Sequence, residues 1–262
     1  MLAARGLAAG RLVRVIKQKN DPELERIFGA AIRMWWAVAR WQWREAALVA
    51  CLPAVAAALF WALPLGQAAP GLIGPVYLGA VAVALAWNLR ACLGALHPGA
   101  IGARVELKHM VWRIAVACGF TLVPAVYVFV LVNSDLSAEH FSFVLAIFGA
   151  MLLTVVMYAL AAVTAARVAA TGRFSPLEAW GVLRGRRGVS IASLFFVFAA
   201  AAGFGGFFFL PSFALEALGA PWWIAILPGG VLAHGVILLA LAAVATAVHD
   251  RAAGPPPMVA EA

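Results

Sequence analysis

The 262 residues are 65% hydrophobic and only 11% charged, with a formal net charge of +8. Soluble domains average about 25% charged residues, so this composition excludes an ordinary water-soluble domain and predicts an all-α polytopic membrane protein. The positive balance does not point to nucleic acid. The basic residues stand beside the ends of apolar spans with Trp nearby, the pattern that fixes orientation against an anionic leaflet, and no recognition module is present.

In chain order, residues 1–20 read as a basic cytoplasmic tail, without an acidic residue before Asp21. A mitochondrial transit peptide is also basic, but this stretch lacks the expected Ser content. A bacterial cytoplasmic (inner) membrane is therefore expected, with the mitochondrial inner membrane as the alternative.

Residues 21–45 predict an amphipathic interfacial helix. Asp21 suits the N-cap, Pro22 the first helical position, and Glu23 and Glu25 complement the positive end of the dipole. At 100° per residue, Arg26, Arg33, Arg40 and Arg44 fall within about 40° of one another. Leu24, Phe28, Ile32, Trp35, Ala39 and Trp43 take the opposite side. Such a helix places Trp35 and Trp43 at the headgroup boundary and the Arg row toward water or lipid phosphates. Docking on the protein's own inner face is a compatible alternative.

Six apolar runs follow, at 46–63, 71–89, 114–132, 141–166, 189–210 and 222–248. Each is near or above the roughly 20 residues that cross a hydrocarbon core, and none alternates polar with apolar, so helices rather than barrel strands are expected. The expected fold is a six-transmembrane-helix bundle in one domain, 46–248. All 19 Lys and Arg fall on one side of it. They precede the first run, lie at or beyond the inner end of the second (Arg90, Arg104, Lys108, Arg113), follow the fourth (Arg167, Arg173, Arg184, Arg186, Arg187) or follow the sixth (Arg251). The loops on the other side carry Asp135, Glu139 and Glu216. Both termini are thus expected in the cytoplasm.

Between the fourth and fifth runs, Ser175, Pro176, Leu177 and Glu178 match a capping box, with Glu178 reaching back to the Ser175 amide. Arg184, Arg186 and Arg187 behind it read as a topological anchor and as candidate lipid-phosphate or partner contacts. Residues 249–262, with Gly254–Pro257, read as a disordered cytoplasmic tail.

Chemistry is sparse. No Asp or Glu lies in the core of any run, and no Gly-x-Ser-x-Gly or His-Glu-x-x-His occurs. No catalytic residue, metal site or cofactor is expected. Cys51, Cys92 and Cys118 have neither disulfide-framework nor zinc spacing and read as small packing residues. Asn88 is expected to bond to a neighbouring helix, and Gly203, Gly205 and Gly206 to let one approach closely.

His234 lies about 12 residues into the sixth run, near mid-depth at ~1.5 Å per residue. Thr121 and Thr154 fall at similar depth, close to the breakers Gly119, Pro124, Pro228, Gly229 and Gly230. A small polar pocket of His234, Thr121 and Thr154 is one expectation. In the plainer alternative His234 makes one interhelical hydrogen bond and the Thr hydroxyls return to their own carbonyls.

The functional expectation is a non-catalytic accessory or scaffold protein. It would bind anionic lipid headgroups or partner membrane proteins through the Arg/Trp surface. A permease or lipid-translocating component using the His234 pocket is the alternative, and an intramembrane lipid enzyme a third.

Overall fold

The computed structural model describes residues 22–62, 69–97, 107–132, 141–184 and 188–253. Among these residues every element is a helix and none is a strand. In chain order they are α1 (Pro22–Trp41), α2 (Trp43–Ala62), α3 (Ala69–Leu96), α4 (Leu107–Gly119), α5 (Leu122–Val132), α6 (Phe141–Thr171), α7 (Pro176–Arg184), α8 (Val189–Phe208), α9 (Leu210–Ala217) and α10 (Trp222–Ala253). Helices follow from the composition, because a chain in hydrocarbon must satisfy every backbone donor and acceptor within itself. Among the described residues three segments are long and apolar enough to cross a membrane: Gly74–Leu96 in α3, Val144–Thr171 in α6 and Ile224–Ala252 in α10.

The core is built around α10, which packs against α1, α2, α3, α6, α7, α8 and α9. Small side chains let it serve so many neighbours. Ala242, Ala243, Ala245 and Ala247 are all buried, as are Val244 among them and Val248 next after them. The α2 contact is closest where both helices are small. A Cβ on Gly230 would come within 3.3 Å of Ala54 Cβ, and one on Gly235 within 3.5 Å of Ala50 Cβ. Packing of this kind, with van der Waals contact in place of a hydrophobic drive, is how helices associate in lipid. The same two contacts set direction: α10 descends as α2 rises, so the pair is antiparallel. Contacts from Tyr77 to His234 and from His97 to Asp250 make α3 parallel to α10.

The helices depart from the sequence expectations at several places. The helix expected over residues 21–45 ends at Trp41. The chain bends at Gln42, so Trp43 and Arg44 belong to α2, although the Gln42 amide still donates to Val38 and the Ala46 amide to Gln42. The run 114–132 is two helices, not one. Pro124 lacks the N–H that would bond back to Phe120, and the chain passes from α4 to α5 through tight bonds from the Phe120 and Thr121 amides to Ala117 and Cys118. Leu210 opens α9, not the end of the fifth run. Residues 249–253, expected in a disordered tail, continue α10. Residues 1–20, Asp21, Asp135, Glu139, Arg186, Arg187 and 254–262 lie outside the described residues.

Candidate functional site

The Arg/Trp surface is the first candidate. The α1 face carrying Ile27, Ala31, Met34 and Val38 is buried in the core. This face is rotated by about a quarter turn from the apolar side expected from Arg periodicity. Helix α1 therefore has three faces. One packs on the protein, and one bears the exposed Arg26, Arg33 and Arg40. The third presents Phe28, Ile32 and Trp35 to an open groove beside α8 and α10. At the α1–α2 bend the guanidinium carbons of Arg40 and Arg44 lie 5.2 Å from the Trp41 ring and 5.5 Å from the Trp43 ring. Both are within cation–π range. Trp41 and Trp43 are exposed, which suits side chains that hold one edge in hydrocarbon and one in water. Arg184 is exposed at the end of α7, a helix that packs on α6, α8 and α10.

The second candidate surrounds His234. Its Nδ1 lies 2.7 Å from the Gly230 carbonyl oxygen and its Nε2 3.0 Å from the Tyr77 hydroxyl. A carbonyl only accepts, so Nδ1 carries the proton, and in the neutral ring Nε2 accepts from Tyr77. The two rings meet edge to face, with centroids 5.9 Å apart. The cavity beside them has a volume of about 240 Å³, and its lining includes Tyr77, Cys118, Thr121, Tyr158 and His234. Among the described residues of that lining there is no carboxylate, Lys or Arg.

Of the three residues of the expected pocket, His234 and Thr121 line this cavity and Thr154 is not among its described lining. The Thr121 hydroxyl donates to Cys118 O at 2.6 Å, and the Thr154 hydroxyl to Ala150 O at 2.7 Å. Both bonds are the local returns of the plainer alternative. Sequence reasoning missed Tyr77 and Tyr158, two of only three Tyr in the chain. The available signal was a phenol inside an apolar run, since a buried Tyr hydroxyl nearly always has a partner.

A third set of polar groups gathers where α3, α6 and α10 finish. His97 of the α3 end meets Asp250 of α10 at 2.5 Å, and Arg167 of α6 pairs with Glu178 of α7. Glu178, expected to reach back to Ser175, is thereby also engaged by Arg167. Asn88 donates to Ala84 of its own helix at 2.9 Å, not to a neighbour. Cys92 and Cys118 are buried free thiols, and Cys51 is half-buried and free. Among the described residues no three His, Cys, Asp or Glu come together to hold a metal ion.

No protein-family model, curated protein or solved structure matches this chain.

Proposed function

We propose that this chain is a non-catalytic accessory or scaffold protein of a bacterial cytoplasmic membrane. In this reading it crosses the bilayer six times with both termini inside, and binds anionic lipid headgroups or partner membrane proteins through its Arg/Trp surface. The six crossings are α2, α3, α4 with α5, α6, α8 and α10. The observation that carries the reading is the exposed, doubly cation–π-paired bend at Arg40–Trp41 and Trp43–Arg44. The interior supports it. Both ring nitrogens of His234 and the hydroxyl protons of Thr121 and Thr154 are already engaged within the protein, so these three groups offer a solute no donor, and only hydroxyl lone pairs remain.

Purification in mild detergent, followed by identification of bound lipids and proteins, tests this. Enrichment of anionic lipid or of a membrane protein is expected, lost when Arg26, Arg33, Arg40 and Arg44 are all changed to Gln. A clean monomer carrying neither would overturn the reading.

A second reading, a permease or lipid-translocating component, is favoured by the cavity that joins His234 to Thr121. It requires that His234→Ala abolish uptake or flipping while the protein still folds.

A further inference from the structure

A cavity larger than the one beside His234 is an open groove of about 470 Å³ between α1, α8 and α10, lined by apolar and aromatic side chains. Phe28, Ile32 and Trp35 form its α1 side, Phe196 and Ala200 part of its α8 side, and Ala240 lies on the α10 floor. Phe28 and Phe196 meet edge to face with centroids 5.4 Å apart, which ties α1 to α8 over one end.

From this geometry we infer that the groove holds one acyl chain of an anionic phospholipid whose headgroup lies on the Arg face of α1. The inference rests on the lipid-binding reading above and gives it a site. The groove follows α8 between Phe196 and Phe208, roughly 18 Å at 1.5 Å per residue. Its lining is apolar and aromatic, which suits a hydrocarbon chain, and a protein helix seated there is an outcome of the test below.

Position and charge select the headgroup. The groove starts about 10 Å along α8 from Val189, which is where a chain hanging from a headgroup at the α8 N-terminus begins its run through the hydrocarbon. Arg26 and Arg33 are exposed on the α1 turns on either side of Phe28. Apolar burial gives no preference for this site, because surrounding lipid tails are equally apolar. Retention therefore depends on the preformed groove and on the phosphate contact.

The test uses the full chain in vesicles containing phosphatidylglycerol with a photoreactive diazirine on one acyl chain, and separately the phosphatidylcholine with the same chain. Labelled residues are mapped by mass spectrometry. Label from the phosphatidylglycerol probe is expected to concentrate on groove residues such as Phe196, Ala200 and Ala240. Ala200→Phe should lower it to the level at lipid-exposed Phe148, and Val130→Phe on α5 should leave it unchanged. Should Ala200→Phe fail to fold, Ile237→Phe fills the same space from α10.

Equal labelling by both lipids would remove the anionic headgroup from the inference. Label spread evenly over the groove and Phe148, or groove crosslinks to a second copy of the chain, would overturn the acyl site. The Arg-to-Gln lipid enrichment test stands apart from all of these, so loss of the groove site and loss of the surface reading give different results.

Discussion

Gly229 shows how little room the packing around α10 leaves. A Cβ there would lie 2.5 Å from Phe209 Cδ1, 2.6 Å from Ser212 Oγ and 3.0 Å from the Phe208 carbonyl oxygen. Two of these atoms are side-chain, but the third is backbone and cannot swing aside. Gly229→Ala should therefore destabilise the protein by about 1–3 kcal/mol, the usual cost of overpacking. Gly79→Ala, on α3 with nothing within 4 Å of its Cβ, should be neutral or stabilising by up to ~1 kcal/mol. Unfolding in mixed detergent micelles measures both, and equal effects would contradict the packing argument. Tyr77→Phe removes the donor to His234 Nε2 and should cost about 0.5–1.5 kcal/mol, small because interhelical hydrogen bonds in membranes average near 0.6. In a double-mutant cycle with His234→Ala the two changes should be less than additive. His234 was legible in the sequence because ionisable groups are so rare in these runs. Its partner was not, since depth counting places residues along helices and says nothing about which faces meet.

At the scale of elements, α1 teaches the most. Its Arg periodicity groups Arg26, Arg33 and Arg40 on one face in the sequence, and all three are exposed. The remaining arc is apolar on two sides at once, and no period distinguishes a face that meets protein from one that meets lipid. Only packing onto α10 assigns Ile27, Ala31, Met34 and Val38 to the core. Met34 is 2% exposed, so Met34→Ala should cost about 2–3 kcal/mol, near the lower end for a large buried side chain. Ile32, at 64% exposed, should tolerate Ala with a change within about 0.5 kcal/mol. Protease resistance of α1 in detergent reports the same contrast, with Met34→Ala cut faster and Ile32→Ala cut as the unmutated protein is. The α4–α5 break was half legible. Gly119 and Pro124 announced it, but an apolar run of sufficient length concealed that two short helices fill it.

At the scale of the molecule, the charge pattern and the packing can be tested against each other. In the proposed topology the α6–α8 connection and the α10 end would lie on one side with the basic residues, and Glu216, beyond α8, on the other. The directions of α2, antiparallel to α10, and α3, parallel to it, are those this topology requires of these three helices. Two exposed leucines sample the two ends: Leu177 on α7 is 85% exposed, and Leu218 just after α9 is 83% exposed. In a chain with Cys51, Cys92 and Cys118 replaced by Ala, a single cysteine at position 218 should react with a membrane-impermeant maleimide added to intact cells. A single cysteine at position 177 should react only after permeabilisation. Six crossings with an inward Arg face demand this opposite labelling, because one span, α8, separates the two positions. Labelling of both from the same side would mean that α8 does not cross. The Arg surface of α1 and the groove beneath it would then lose the cytoplasmic leaflet that both are argued to face.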